Sequence, residues 1–353
     1  MERRISKKIK VGNIYIGGDS KISVQSMTNT DSADFDATYA QIKRLEACGC
    51  DIVRMTVPDM AAVKTISRLK DSDINIPIVA DIHFDYKMAI EAAYAGADKI
   101  RINPGNIGGE DRVKAVVEAC NTKNIPIRIG VNSGSLEKSI LEKYGRPSGE
   151  ALAESALYHA SLLEKNDFTN IILAVKSSRV ADMVRANRLL AERTEYPLHL
   201  GVTEAGTVHK GVIKSAAGIG SLLLDGIGDT IRVSLTADPT EEIREGKAIL
   251  SSLGIAEENG INIISCPTCG RTKIDLIGIA NEFEKRTADL KVSKKIDVAI
   301  MGCVVNGPGE AKECDIGIAG GIGEAVLFKK GQIVRKIDEN RIIDELIEEI
   351  KRM

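Results

Sequence analysis

Two cysteines separated by two residues, Cys266 and Cys269, stand in the segment SCPTCGRTK at 265–273. This spacing is typical of a zinc site, an iron–sulfur cluster or a redox disulfide. The later segment MGCVVNGPGEAKEC carries Cys303 and Cys314. A C-x-x-C pair with a distant third cysteine in a glycine-bounded loop indicates a metal site. We therefore predict a metal centre on Cys266, Cys269 and Cys303.

The spacing alone leaves the fourth ligand of this centre open. Zinc would take four closed ligands, and Cys314 could supply the last one. An iron–sulfur cluster on three cysteines would leave one iron for a weaker ligand, and a tight turn at GPG (307–309) could bring Glu310 back toward Cys303. A generic metal-site argument slightly favours the thiolate of Cys314.

A second set of chemically active residues interrupts short β-branched runs. Parallel strands are otherwise buried and apolar, so polar side chains at their ends need a reason. These residues are Arg54, Asp81, His83, Arg101, Asn103, Arg128, Asn132, Lys176, His199, Glu204, Arg232 and Ser234. Buried like charges are costly without an anionic partner, and arginine binds two phosphate oxygens at once. The cations therefore predict a small phosphorylated substrate, with a diphosphate favoured.

Two carboxylates stand among these cations. Glu204, in the glycine-flanked segment GVTEAG, is predicted to donate or accept a proton. Asp81 is predicted to orient a basic neighbour.

The elements that must position these side chains form a repeating pattern. Eight β-branched runs alternate with segments of helical periodicity, which predicts βαβ units and a parallel sheet. The runs are 22–28, 51–57, 76–83, 99–105, 126–132, 170–176, 197–204 and 229–235. Eight units favour a closed TIM barrel over an open doubly wound sheet, and function collects at the strand ends of such a barrel. Arg232 and Ser234 are expected on the eighth strand.

The alternation of strands and helices ends after about residue 255, where short strands (INIIS, DVAIMG, DIGIAG, EAVLFKKGQIV) accompany two helical segments. This pattern predicts a small α+β domain. Glycines and acidic residues in SLGIAEENG (252–260) indicate the boundary, so we expect domains at 1–255 and 256–353.

Composition excludes several classes of protein. A net charge of −2 argues against binding dominated by nucleic-acid phosphates. No apolar run approaches the roughly 20 residues that a membrane helix needs. Seven cysteines without an export signal fit a reducing cytoplasm. The basic segment MERRISKKIK is expected to be a solvated arm.

Taken together, four segments resemble the 4-hydroxy-3-methylbut-2-enyl diphosphate synthase family of the non-mevalonate isoprenoid pathway, in its two-domain bacterial form. They are SCPTCGRT (265–272), MGCVVNGPGEA (301–311), IRINPGNIG (100–108) and HLGVTEAG (199–206). The resemblance covers essentially the whole chain.

The resemblance implies a [4Fe–4S] cluster held by Cys266, Cys269, Cys303 and Glu310, with Cys314 outside the ligand set. It implies that Glu204 lies close to the reacting carbons. It also implies that the cyclic diphosphate is bound by the following residues: Arg54, Asp81, His83, Arg101, Arg128, Asn132, Lys176, Arg232, Ser234 and Asn306.

The implied reaction is the reductive opening of 2-C-methyl-D-erythritol 2,4-cyclodiphosphate, with loss of a hydroxyl as water. No flavin or nicotinamide site is evident, so flavodoxin or ferredoxin is the expected electron donor, and a head-to-tail homodimer is expected. The rival reading is a dihydropteroate-synthase-like group-transfer barrel with a structural zinc domain. A non-catalytic metal sensor would leave the cations without a purpose.

Overall fold

The computed structural model describes residues 2–256, 260–288, 290, 292–304 and 312–353. The chain forms two compact units, Met1–Ala256 and Glu257–Met353, and each has its own hydrophobic core. Within the described ranges, no helix combines the length and the apolar character that crossing a membrane requires.

The first unit is built on a parallel sheet of eight strands, preceded by an antiparallel hairpin. The hairpin is β1 (Ile9–Val11) and β2 (Ile14–Ile16). The sheet contains β3 (Ser23–Met27), β4 (Ile52–Thr56), β5 (Ile78–Asp81), β6 (Lys99–Ile102), β7 (Ile127–Asn132), β8 (Ile171–Lys176), β9 (His199–Leu200) and β10 (Thr230–Ile231). β3 to β8 pair in sequence order, and β10 lies between β3 and β9. A parallel bridge between Leu173 and Leu198 joins the two remaining edges. The predicted TIM barrel is confirmed, and the open sheet is wrong.

Helices follow the strands and cover the outside of the barrel. They are α1 (Phe35–Ala47), α2 (Met60–Lys70), α3 (Tyr86–Tyr94), α4 (Pro104–Ile107), α5 (Glu110–Lys123), α6 (Lys138–Tyr144), α7 (Gly149–Glu164), α8 (Val180–Arg193), α9 (Val208–Leu224) and α10 (Pro239–Ser252). The carboxylates of Asp34, Asp59 and Asp85 accept first-turn amides and so begin α1, α2 and α3. Apolar stripes then face the sheet, as Ile42 and Leu45 do on α1.

The hairpin β1–β2 contributes buried side chains at the amino-terminal end of the barrel. Ile9, Val11 and Ile16 are fully buried. They form one cluster with Ile52, Val79 and Ile172, which stand at the beginnings of three barrel strands. The expected solvated arm is therefore wrong for this segment, because its alternating isoleucines and valine supply an apolar face that closes the barrel.

The second unit is a five-stranded mixed sheet with two helices among its described residues. The elements are β11 (Ile261–Ser265), α11 (Leu276–Thr287), β12 (Ile296–Met301), β13 (Ile316–Gly320), β14 (Glu324–Lys329), β15 (Gln332–Asp338) and α12 (Ile342–Lys351). β11, β12 and β13 are parallel, whereas β13, β14 and β15 are antiparallel. Phe283 on α11 and Leu346 on α12 are buried in one core with Val298 of β12.

The run EAVLFKKGQIV forms two strands instead of the single predicted one. Lys330 and Gly331 both have positive φ, 47° and 75°. Two such residues between antiparallel strands give the tight turn that matches strand twist, so the chain reverses at this point.

Candidate active site

A cleft lies at the carboxyl ends of the barrel strands and contains about 170 Å³ of open space. This is smaller than the roughly 300 Å³ at which pockets for drug-sized ligands begin, so it suits a small molecule. Its lining includes every predicted substrate-binding residue within the described part of the chain. The lining residues are Met27, Arg54, Asp81, His83, Arg101, Arg128, Gly130, Asn132, Ala174, Lys176, Thr203, Arg232 and Ser234. Asn306 lies outside the described residues.

Strand register explains why these side chains meet. Asp81 of β5 is the partner of Arg101 on β6, and Arg101 is the partner of Arg128 on β7. Partners in adjacent parallel strands share a face, so all three side chains enter the barrel. Asn132 and Lys176, which end β7 and β8, are also partners.

Arg232 and Ser234 lie just after a strand and not on one. β10 has only two paired residues and ends at Ile231, so their predicted location on the eighth strand is wrong. The amide of Arg232 still donates to the carbonyl of Leu200 at 2.9 Å, which keeps its backbone in line with the barrel.

Asp81 is a buried carboxylate that serves several cations. It accepts a hydrogen bond from Arg101 Nη1 at 2.9 Å, and Arg54 Nε and His83 Nε2 lie 3.6 and 3.7 Å from its carboxylate. Burial alone would raise the pKa of Asp81, but the nearby arginines outweigh it and hold the pKa well below its usual range. Asp81 is therefore ionised at neutral pH, and its contacts agree with the predicted orienting role.

Arg128 and Lys176 are buried cations that form no ion pair within the described ranges. Burial lowers the pKa of Arg128 well below its usual value, and the charges of Arg54 and Arg101 add to this. Burial likewise lowers the pKa of Lys176, assisted first by Arg232. The cleft therefore has an unbalanced positive charge that an anion would relieve.

Glu242 is a functional neighbour that sequence reasoning missed. Its carboxylate accepts hydrogen bonds from Arg232 Nε at 3.2 Å and Nη2 at 3.1 Å, and from the hydroxyl of Ser26 at 2.7 Å. This two-point contact fixes the plane of the Arg232 guanidinium. Glu242 lies on α10, where only the tertiary packing shows that it contacts Arg232.

One glycine makes room for the cations. A Cβ on Gly130 would lie 2.3 Å from Arg101 Nε, so a larger residue on β7 would displace the Arg101 side chain. The carbonyl of the same glycine accepts from Arg101 Nη2 at 3.3 Å.

Glu204 is exposed and does not line the cleft, but the preceding residue, Thr203, does. Its backbone has φ of 51°, in the left-handed region that a glutamate rarely adopts. Strain of this kind costs about 1–3 kcal/mol and clusters at functional sites. Glu204 is therefore the chain neighbour of a cleft residue, and its predicted role near the reacting carbons stays a prediction.

His159 on α7 is 1% exposed. Its Nε2 contacts the Glu137 carboxylate, and its ring lies beside Gly105 on the short helix α4 after β6. Asn103, directly before α4, donates to Ser135 Oγ at 3.0 Å, which links the segments after β6 and β7.

In the second unit, two of the predicted metal ligands stand at neighbouring strand ends. Cys266 directly follows β11, and Cys303 lies two residues after β12. β11 and β12 are parallel and in register up to Ser265 and Ile300, so both cysteines leave the same edge of the sheet. The amide of Gly302 donates to Cys266 Sγ at 3.3 Å. Glu310 lies outside the described residues.

Cys269 is exposed, in the turn that follows Cys266. Hydrogen bonds from the backbone and side chain of Arg271 lower the pKa of its thiol below the ordinary value. The amide of Lys273 donates to the carbonyl of Gly302 at 3.0 Å, which fastens this turn to the chain before Cys303. Across the described ranges, no three His, Cys, Asp or Glu side chains are close enough together to hold a metal ion. Three thiolate donors, two of which already receive stabilising hydrogen bonds, nevertheless fit the ligand chemistry of an iron–sulfur cluster.

Two family models match this chain. Residues 6–247 match the GcpE TIM-barrel domain, and residues 262–352 match the GcpE protein C-terminal domain.

The chain belongs to the GcpE family.

Curated relatives share more than half of its residues over almost the whole length. The chain is 59% identical to the 4-hydroxy-3-methylbut-2-en-1-yl diphosphate synthase (flavodoxin) of Clostridium perfringens, with 99% of each chain covered. It is 57% identical to the enzyme of the same name from Clostridium acetobutylicum, with 100% of each covered. It is 54% identical to that of Geobacter sulfurreducens, with 99% and 98% covered. The resemblance stated from the four motifs is thereby confirmed.

Solved structures also resemble the barrel. The dihydropteroate synthase of Coxiella burnetii matches with a TM-score of 0.50 at 11% identity, covering 71% of this chain and 100% of that one. The Plasmodium falciparum HPPK-DHPS matches with a TM-score of 0.52 at 12% identity, covering 70% and 48%. At these identities the likeness shows a shared barrel plan alone.

Cys314 is distinct from the other cysteines of this unit. It is 2% exposed and packs with Ala299, Met301, Ala319 and Phe328. Burial raises the pKa of its thiol, which disfavours the thiolate that a metal ligand must supply.

Proposed function

We propose that this chain reduces 2-C-methyl-D-erythritol 2,4-cyclodiphosphate to 4-hydroxy-3-methylbut-2-enyl diphosphate and water. The observation that carries this proposal is the excess of buried positive charge in the barrel cleft, on a chain whose second unit has Cys266 and Cys303 at one sheet edge. The names of the curated relatives support the same reaction.

In this proposal the cleft binds the diphosphate. Arg128 and Lys176, which lack ion-pair partners among the described residues, supply the charge that a dianion neutralises. Arg54 and Arg101 are oriented by Asp81, and Arg232 is oriented by Glu242. Guanidinium groups held in this way can stabilise charge as a phosphate oxygen leaves carbon. His83, Asn132, Ser234 and, outside the described residues, Asn306 complete the proposed substrate site.

We further propose that Cys266, Cys269 and Cys303 hold a [4Fe–4S] cluster, with Glu310 as the fourth ligand. When bound, the cluster would supply electrons one at a time and a Lewis-acidic iron for a substrate oxygen. The lowered pKa of Cys269 and the amide donated to Cys266 support thiolate ligation. The buried thiol of Cys314 supports its exclusion from the ligand set.

Glu204 is proposed to manage the proton that converts the departing hydroxyl into water. Its position next in sequence to the cleft residue Thr203 and its strained backbone support a role in chemistry. A carboxylate there would repel the diphosphate, so a pure binding role is physically unattractive.

The electron donor is proposed to be flavodoxin, in agreement with the names of the relatives, with ferredoxin as the other possible donor. We also propose a cytoplasmic location and a head-to-tail homodimer. In this proposal, the domain at residues 1–255 binds substrate and the domain at 256–353 holds the cluster. All seven cysteines are free, which agrees with a reducing compartment.

Two measurements on anaerobically purified protein test the proposal. Iron and sulfide analysis should find four of each per chain, with a brown protein absorbing broadly near 400 nm. Calorimetry should show cyclodiphosphate binding to the full-length protein without added reductant. A colourless protein containing zinc, or a protein that does not bind the cyclodiphosphate, would contradict it.

A further inference from the structure

One lysine lies deeper in the barrel than the cleft that binds substrate. Lys99 begins β6, two residues before Arg101, so its side chain enters the barrel on the same face and one layer lower. Its register partner is Val79, which belongs to the apolar cluster around the hairpin β1–β2. Lys99 therefore lies between this apolar closure and the cations of the cleft.

This layer is polar, fully buried and poorly paired. Lys99 is 0% exposed and its Nζ has no hydrogen-bond partner in the described part of the chain. Gln25 Nε2 and both ring nitrogens of His199, which are also inside the barrel, likewise lack partners there. An ammonium in such a place costs much more than a neutral amine, because neither water nor a carboxylate offsets its loss of hydration.

The neighbouring arginines also disfavour the charged form of Lys99. Burial lowers the pKa of Lys99 well below its ordinary value, and Arg128 from β7 and Arg54 from β4 lower it further. Asp98, directly before β6, opposes them. On β9, His199 is itself held below its usual pKa by burial and by the charge of Arg128.

We propose that Lys99 balances charge for the diphosphate: its amine is neutral in the free barrel and takes up one proton when a dianionic diphosphate occupies the cleft. This inference rests on the proposed function, because it needs a diphosphate in the cleft. The anion would offset the field of Arg54 and Arg128, which is the field that disfavours the ammonium. Lys99 would then contribute to affinity without touching the ligand.

The sign of the linkage follows from this arrangement. A group that gains a proton on binding makes binding tighter as the pH falls, throughout the interval between its pKa in the free and in the bound protein. Each phosphorus of a cyclic diphosphate carries a single hydroxyl that is fully ionised at neutral pH, so the ligand contributes no proton. Lys176, His83 and His199 also face the cleft or this layer. The effect of Lys99 must therefore be measured as a difference between variants.

The test is calorimetric titration of the full-length, cluster-replete protein with the cyclodiphosphate, without reductant so that no turnover occurs. Buffers of different ionisation enthalpy give the number of protons taken up. Wild type should take up at least about one proton near pH 7.5, and Lys99→Met should take up about one fewer. The slope of log affinity against pH should be smaller in magnitude for Lys99→Met than for wild type, by about one unit. Lys99→Gln should behave like Lys99→Met and provides a second variant if the methionine disturbs folding.

Lys247→Met is the matched control, since Lys247 donates to the carbonyl of Cys48 on the outside of the barrel. It should keep the proton uptake of wild type. Binding by wild type without proton uptake would overturn this inference and leave the proposed function standing. Unchanged uptake in both Lys99 variants, or its loss only in His83→Gln or His199→Asn, would also overturn it. Absence of binding by wild type would instead refute the proposed function.

Discussion

Replacing Lys176 by methionine should make the substrate-free protein more stable and bind substrate more weakly. Lys176 ends β8, is 8% exposed, and forms no ion pair in the described part of the chain. A charged amine there is repelled by Arg232, Arg54 and Arg128, and a neutral one has lost its hydration. Methionine keeps the aliphatic stem and removes both costs. Replacing poorly compensated buried charge with apolar groups often stabilises a protein, and we expect about 1 kcal/mol.

The size of both effects can be stated in measurable terms. For a domain of this size, 1 kcal/mol corresponds to a rise in Tm of about 2–4 °C. Loss of a charge-assisted hydrogen bond to phosphate, with its partner left unpaired, should weaken binding by about 2–3 kcal/mol, or roughly 30- to 150-fold. Thermal unfolding followed by circular dichroism, and calorimetric titration with cyclodiphosphate, measure the two effects on the same anaerobic samples.

Lys70→Met is the control for this prediction. Lys70 is paired with Asp98 at 2.8 Å, near the opposite end of the barrel strands. It should lose a little stability and bind substrate as wild type does. A lower Tm together with unchanged affinity in Lys176→Met would refute the argument that the cleft stores unbalanced positive charge for an anion.

Three further predictions follow from the sites. Cys314→Ser should keep cluster content and turnover near wild type, because the thiol is buried among apolar side chains. Cys269→Ser should lose the cluster. Iron analysis that finds the cluster lost in Cys314→Ser would contradict the ligand assignment. Glu204→Gln should keep fold, cluster and KM while kcat falls by about 10²–10⁴-fold, and a raised KM with kcat intact would assign Glu204 to positioning. Asp81→Asn should lower the free energy of unfolding at neutral pH by about 3–5 kcal/mol, because buried arginines lose their counter-charge. Since the folded-state pKa of Asp81 is lowered, its contribution is fully present above the unfolded-state pKa of about 3.9 and is lost as the pH falls through the folded-state value. In denaturant titrations, a difference from wild type that does not shrink between about pH 5 and pH 2 would contradict this.

The barrel and the upper layer of its site could be predicted because each strand is a short β-branched run. Against that background a charged residue such as Arg101 or Arg128 is conspicuous. The same alternation in KIRIN should have marked Lys99, since residues 99 and 101 share a face of the strand. Lys99 stands at the beginning of its strand, whereas functional residues of such barrels are expected at the carboxyl ends of the strands.

A single sequence does not show which distant segments come into contact. Glu242 contacts Arg232 from a helix, and no local pattern distinguishes it from its half-buried neighbour Glu241. The N-terminal segment closes the barrel through Ile9 and Val11, although its basic residues favoured a solvated arm. In each case tertiary packing decided the outcome, and local charge did not.

Anaerobic turnover tests the central claim most directly. Cluster-replete protein should be incubated with 2-C-methyl-D-erythritol 2,4-cyclodiphosphate and a low-potential artificial reductant, and the products identified by mass spectrometry and ³¹P NMR. We predict 4-hydroxy-3-methylbut-2-enyl diphosphate, formed with two electrons consumed per molecule and abolished in Cys269→Ser. Cyclodiphosphate that binds the cluster-replete protein but remains intact after many equivalents of reductant would contradict it.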